Sequence, residues 1–288
     1  MREFMAESRS VVVPSTDLAW CAGWTPFALR DRFATSEVTV EETREVYVGD
    51  RAQATLTIAD VVDGLLRGDT TMRWKGLDFL ARVPAMLESL RRDPSPVSAL
   101  VPRTAYDARS TLWVAPARTM SSLHHDGNFD NLNLQVSGKK LWLLIPPPQH
   151  AHLYLHGTAE SAVNPFAPDL RRFPRFAGAT PVEATTSPGD VLLVPRYWWH
   201  CVYAAEPSVN LATCFRWRGE LPAWRALEGA PIVHRSLTVL SAELKRRGFT
   251  RLASVSRNIR CKLRARTHAR IMPQPRTLVS VEQASARR

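Results

Sequence analysis

A mainly β fold, a barrel or sandwich of short strands with helical flanks, is the class this sequence predicts. Three observations predict it. Between residues 110 and 217, short apolar stretches recur at 111–115, 132–136, 141–145, 191–194, 201–204 and 209–217, separated by Pro, Gly and Asn. Runs of this length and spacing are strand signals, and their number suits a closed β architecture. Within them Asn131, Asn133 and Gln135 alternate with Leu132, Leu134 and Val136. Successive strand side chains point to opposite faces, so this strand has one polar and one apolar face, as a ligand-filled barrel requires. Outside this stretch the pattern turns helical, at 58–66 and 77–90 before it and at 223–227 and 236–247 after it.

Taken in order, residues 15–29 read as a loop around Trp20, Trp24 and Pro26. Residues 37–47 alternate as a strand does, with Val38 and Val40 and later Val46 and Val48. The amphipathic run 58–66 follows Thr57, a good N-cap, and reads as a helix. The run 77–90 is a second helix, kinked or divided at Pro84 and ended by Pro94 and Pro96. Ser187-Pro188-Gly189-Asp190 is a turn before the strand at 191–194. Residues 221–270 return to helical patterns, and the polar residues from Pro273 onward read as frayed. The expected organisation is a lead-in at 1–110 packed on the barrel, the barrel at 111–220, and a helical extension at 221–288.

The composition is that of a globular protein, with 45% apolar and 23% charged residues. No run reaches the roughly 18 apolar residues of a membrane span. The patch Val11–Val13 is too short for a secretory signal. The expectation is a soluble protein. Cys21, Cys201, Cys214 and Cys261 form no Cys-x-x-Cys pair, which argues against a zinc ribbon and suits the reducing cytoplasm. The net charge of +11 belongs entirely to residues 241–288, where 13 basic residues face only Glu243 and Glu282. Such a tail fits a solvated extension, or an acidic partner such as nucleic acid. Phe249 is its one aromatic residue, short of the interleaved aromatics that single-strand binding requires, so nucleic acid is not the favoured partner.

The chemistry sits in Ser121-Ser122-Leu123-His124-His125-Asp126. His124 and Asp126 are two apart, so on a strand end both point to one side. A third ligand would come from a distant strand, and His200, after Pro195-Arg196-Tyr197-Trp198-Trp199, is the candidate. Two imidazoles and one carboxylate on one face of an octahedron leave open positions, the facial triad of non-haem iron(II) oxygenases. Those positions suit a chelating 2-oxo acid and dioxygen. His125 falls on the opposite side from Asp126 and reads as a pocket or rim residue. The distal carboxylate of such an acid needs a buried cation, and Lys139 or Lys140 offers one; strand alternation lets only one face the lumen. His150, His152 and His156 read as a surface segment rather than a second metal site. Trp198 and Trp199 read as barrel packing, and Cys201 as a buried structural thiol.

The run His124-x-Asp126, Asn131, Gln135, Gly138-x-Lys140, Pro146-Pro147 resembles the JmjC and cupin-like hydroxylases. So does the run 188–200 with Val209-Asn210, which looks particularly like their asparaginyl-hydroxylase branch, and the linking piece Val163-Asn164-Pro165 with Phe173-Pro174 has the family's look. The resemblance is strong over 110–217 and loose over 15–110, and it leaves the tail uncovered. It implies a double-stranded β-helix barrel of the jelly-roll or cupin kind. It implies that His124, Asp126 and His200 bind iron(II), and that Lys140 rather than Lys139 holds the distal carboxylate of the co-substrate 2-oxoglutarate. Ser121 would assist, and Asn131 and Asn210 would line the same pocket. Dioxygen would be the second co-substrate, and the outcome hydroxylation of an unactivated C–H bond.

Three departures bear on substrate shape. One extra residue lies between His124 and the Asn131/Gln135 pair, at 127–130. Met72-Arg73-Trp74-Lys75 stands where the family has a co-substrate-binding Tyr. Leu211-Ala212 follows Asn210, where an aromatic is common. The implied substrate is a protein or peptide side chain, or a small metabolite. Alternatives are an RNA-modifying hydroxylase that uses the basic tail, and a cupin-like metal protein without oxygen chemistry, against which Lys140 argues. Demethylation is chemically open to the same centre. Helices within 221–265 are candidates for homodimerisation.

Overall fold

A computed structural model describes residues 10–14, 18–42, 53–69, 72–74, 83–101, 110–127, 129–156 and 159–215. In chain order the strands are β1 (Val11–Val13), β2 (Glu37–Glu42), β3 (Gln53–Thr57), β4 (Met72–Trp74), β5 (Ser110–Ala115), β6 (Asp130–Ser137), β7 (Lys140–Ile145), β8 (Leu155–His156), β9 (Glu160–Ser161), β10 (Val182–Thr186), β11 (Val191–Val194), β12 (Trp199–Ala204) and β13 (Ser208–Phe215). The α-helices are α1 (Leu18–Ala22), α2 (Pro26–Phe33), α3 (Ile58–Leu66) and α4 (Pro84–Arg92).

Eight strands form a major sheet in the order β1-β11-β6-β13-β5-β4-β2-β3, and β10-β7-β12 form a minor sheet. All pairings are antiparallel. Residues 120–124 run along β12 through bridges from Met120 to Tyr203 and from His124 to His200. The first six strands all lie in the major sheet, the chain crosses to the minor sheet from β6 to β7, and from β10 to β13 it alternates between the two sheets; the result is the double-stranded β-helix expected from the sequence, a jelly-roll barrel with helical flanks.

The alternation along each strand decides which side chain goes where. On the outer face of the major sheet, Leu132, Leu134, Val136, Leu193 and Leu211 join one apolar core with Trp20, Leu29, Ile58, Val62, Met86 and Leu90 from the four helices. Each large apolar side chain buried this way contributes about 1.5–3 kcal/mol. Between the sheets, Trp142 and Leu144 of β7 meet Leu192 and Val194 of β11. The outer face of the minor sheet, with Leu143, Ile145, Trp199 and Cys201, is covered by Leu153, Val163 and Phe176 from the 146–180 connection. Trp199 is thus packing, as expected.

Local chemistry sets the helix starts. Thr57 accepts from Asp60 N and the Asp60 carboxylate accepts from Thr57 N, a capping box that opens α3 where the sequence places it. The loop expected at 15–29 is corrected: α1 lies within it and α2 begins in it. Thr25 caps α2 by accepting from Ala28 N, and Pro26 takes the first helical turn, where its missing N–H is no loss. Pro84 likewise starts α4, at the point where the sequence predicts that the run kinks or divides; the first part of that run, 77–82, lies outside the described residues. The three valines of β1, read only as an apolar patch, pair with β11 from Val11 opposite Leu193 to Val13 opposite Val191. Strands β3 and β10 are also additions to the expected set. At the β6–β7 turn Gly138 has φ +68°, and a Cβ there would run into the Pro207 carbonyl. Among the described residues no helix is long and apolar enough to cross a membrane. The predicted tail helices and the dimerisation segment lie outside the described residues, as does the latter part of the 37–47 run.

Candidate metal centre

His124 and His200 lie opposite each other on neighbouring strands. His124 N donates to the His200 carbonyl at 3.0 Å, and His200 N to the His124 carbonyl at 2.7 Å. Directly paired residues project to the same side of a sheet, and the two imidazole centroids are 4.3 Å apart. Asp126, two residues after His124, turns to the same side. One donor atom each from His124, Asp126 and His200 lie within 4.8 Å of one another, the one such cluster found among the described residues. The Asp126 Oδ2 to His200 Nε2 distance is 3.8 Å.

Each ligand candidate is held from behind. His124 Nδ1 lies 2.9 Å from the Ser122 carbonyl and His200 Nδ1 3.2 Å from the Trp198 carbonyl. A carbonyl only accepts, so Nδ1 carries the proton in both rings and Nε2 keeps a lone pair for the site. Asn131 Nδ2 donates to Asp126 Oδ2 at 2.8 Å. Burial opposes the charged form of Asp126, but the neighbouring His200 and His124 and the Asn131 amide outweigh it, holding the carboxyl below its usual pKa. Asp126 is therefore anionic at neutral pH.

These three residues open onto a cavity of about 110 Å³ that runs between the sheets and is also lined by Asn131, Asn133, Lys140, Trp142 and Asn210. Lys140 is 5% exposed, while Lys139 faces solvent. The alternation of β7 thus turns the later lysine inward. Lys140 Nζ donates to Asn210 Oδ1, and Asn210 Nδ2 donates to Asn133 Oδ1 at 3.2 Å. Ser121 also lines the cavity. Its hydroxyl accepts from Val202 N at 2.9 Å and donates to the Ser122 carbonyl at 3.1 Å, which fastens residues 120–124 to β12.

Two histidine readings are corrected. His125 is not a pocket or rim residue: it is 5% exposed and sits edge-on to Trp199 and Tyr197, its Nδ1 accepting from Gly127 N. His150 is not at the surface: it is 2% exposed and packs on Trp199. Both belong to the covered outer side of the minor sheet. His152 Nδ1 bonds the Arg175 carbonyl, and the His156 side chain lies outside the described residues. Cys201 is buried, and burial pushes its thiol up to about 12.

Sequence reasoning missed two features. Asn133 was read as part of a polar strand face but not as a site residue; its place in the same i, i+2 series as Asn131 was the available signal. Arg196 grips Asp130 from backbone N at 3.0 Å and from Nη2 at 2.7 Å, and Tyr197 N donates to the Gly127 carbonyl. These bonds tie the turn before His200 to the loop after Asp126, and no local sequence signal marks them.

Two packed antiparallel sheets with a two-histidine, one-carboxylate cluster in the lumen define a double-stranded β-helix protein with a candidate metal centre. The cupin-like domain family model matches residues 23–220, well over half the chain, and the protein belongs to that family, in its JmjC-like form. It is 40% identical over 110 residues to human HSPB1-associated protein 1, covering 35% of this chain and 22% of that protein. It is 30% identical over 141 residues to tRNA wybutosine-synthesizing protein 5 of Danio rerio, covering 45% of this chain and 43% of that protein. It is 35% identical over 106 residues to lysine-specific demethylase 8 of Xenopus tropicalis, covering 35% and 23%. The match thus spans less than half the length of each of these relatives.

Proposed function

We propose that this protein is an iron(II)- and 2-oxoglutarate-dependent dioxygenase that hydroxylates an unactivated C–H bond, on a protein or peptide side chain or on a small metabolite. One observation carries the reading: His124, Asp126 and His200 converge on a cavity that also holds the buried Lys140. The donor set fits the metal, since two neutral imidazoles and one carboxylate suit iron(II) and leave part of its coordination sphere open. The lysine fits the co-substrate. Ala204 pairs with Lys140 and His200 with Leu144, so four residues, roughly 13 Å of strand, separate the two backbone positions. A dicarboxylate can bridge the remaining gap once the lysine side chain reaches inward. An isomerase or simple metal carrier gives no reason to bury a cation there.

When bound, iron(II) and 2-oxoglutarate supply the dioxygen chemistry, with the oxo acid leaving as succinate and carbon dioxide. The chain's own residues do the rest. The Ser122 and Trp198 carbonyls fix the imidazole tautomers. Asn131 orients Asp126. Lys140 neutralises the distal carboxylate, with Asn210 beside it and Ser121 holding the cavity wall. Trp142, Leu144, Leu192 and Val194 keep that region dry. Three of the four cysteines are described and no disulfide joins them, which supports the cytoplasm as the setting. A second reading, an RNA substrate held by the basic tail, draws support from the resemblance to a tRNA wybutosine-synthesizing protein.

The test is anaerobic titration of the apoprotein with iron(II) and 2-oxoglutarate, followed by visible absorption. The expected result is a metal-to-ligand charge-transfer band that is absent in His124→Ala. In Lys140→Ala the band should need at least about tenfold more 2-oxoglutarate, the loss of a hydrogen bond to a charged group. Iron bound without a band at any 2-oxoglutarate concentration would return the protein to the cupin-like metal-binding class.

A further inference from the structure

Asn133 sits mid-strand in β6 with its side chain on the cavity, 5% exposed. The hydrogen bonds fix which way its amide points. Lys140 has donors only, so Asn210 must turn Oδ1 toward it, as it does. Asn210 is then left with Nδ2 for Asn133, whose Oδ1 accepts it at 3.2 Å. Asn133 in turn has Nδ2 left over, and this buried donor has no hydrogen-bond partner. Flipping the Asn133 amide is no remedy, because it would set two NH2 groups against each other. A buried donor without an acceptor costs about 1–3 kcal/mol.

We propose that Asn133 is a co-substrate-binding residue: its Nδ2 donates to the same distal carboxylate that pairs with Lys140. This rests on the oxygenase reading and deepens it. A carboxylate offers about four lone-pair positions on two oxygens. The lysine meets it with a full charge, and Asn133 adds a second, neutral donor that fixes its orientation. The relay Lys140–Asn210–Asn133 sets both donors on one wall. Two residues earlier on the same face, Asn131 presents a buried Oδ1 acceptor without a partner, beside Asp126. The strand thus keeps an unmatched donor at its lysine end, where a distal carboxylate would lie.

The experiment measures binding to the metal-loaded full chain under anaerobic conditions, with Mn(II) or iron(II) and two probes: 2-oxoglutarate and 2-oxovalerate, which lacks the distal carboxylate. Asn133→Leu is expected to weaken 2-oxoglutarate about tenfold while leaving 2-oxovalerate and the metal affinity unchanged. Asn133→Asp keeps an acceptor for Asn210, removes the donor and adds a repelling charge, so it should weaken 2-oxoglutarate further. Unchanged 2-oxoglutarate binding in both variants, with Lys140→Ala still weakened, overturns this proposal alone. Equal weakening of both probes also overturns it, since the loss would then be general to the pocket. Failure of the wild-type protein to bind 2-oxoglutarate overturns the oxygenase reading, and this proposal with it.

Discussion

The two faces of β6 differ in what their side chains are asked to do. Leu132, Leu134 and Val136 point out of the barrel and lock the major sheet to the helices. Asn131 and Asn133 point in, and each leaves a buried polar atom without a partner. One face lowers the free energy of the fold and the other raises it. The strand can hold this contrast because its period of two keeps the residues separate. Stability and function are thus written on alternating positions of one eight-residue segment, and substitutions on it can test whether the two are independent.

The largest effect is expected where the pattern is broken. Asp130 shares the outward parity of the leucines, yet it is charged and 2% exposed. Arg196, itself largely buried, pairs with it. Asp130→Ala would strand that guanidinium, and breaking a buried pair from one side destabilises by about 3–5 kcal/mol. Urea denaturation should show this loss, and replacing both partners with apolar residues should recover most of it. If the single variant is as stable as wild type, the pair is not part of the fold's support.

Next comes Leu134→Ala. Leu134 is fully buried in the outer core, and the lost transfer energy plus the cavity left behind destabilise by about 2–5 kcal/mol. Mn(II) affinity of the folded protein should not change. A fall in both would mean that the faces are coupled through the strand.

How much of this was legible follows from how local each signal is. The triad could be read because His124 and Asp126 are two residues apart and the strand period is two. The inward turn of Lys140 was not decided by alternation alone; the resemblance picked it over Lys139. The capping box of α3 lies within four residues and was half seen, through Thr57. The Thr25-Pro26 start of α2 is equally local, and the tryptophans around it drew the reading to a loop. Other features join distant segments. His125 and His150 are buried because the 146–180 connection folds over the minor sheet, which no pattern near either residue encodes. Asp130 and Arg196 are 66 positions apart, and the amide of Asn133 is oriented by Asn210, 77 positions away. The fold class and the candidate metal ligands therefore came from periodicity and resemblance, and the supporting bonds only from the folded chain.

The smallest effect is the sharpest test of the contrast. Asn131→Leu keeps roughly the side-chain size and removes two polar atoms with different fates: Nδ2, which bonds Asp126 at 2.8 Å, and the buried Oδ1, which has no partner. Losing the first frees the carboxylate to rotate and removes one of the contacts that hold its pKa down. Outer-shell partners of this kind typically contribute about 10–100-fold to metal affinity, and a Mn(II) competition titration should show a loss in that range. Losing the second relieves a desolvation cost, since an apolar group in place of an unsatisfied buried acceptor is neutral or stabilising. That relief offsets part of the cost of the hydrogen bond lost at Asp126, so urea denaturation of the metal-free protein should show less destabilisation than Leu134→Ala. A variant that loses metal affinity with little cost to the fold is the reverse of Leu134→Ala, three positions away on the opposite face. If Asn131→Leu instead destabilises the apoprotein as Leu134→Ala does, with metal affinity intact, the inward amides are structural, and the division of labour along β6 does not hold.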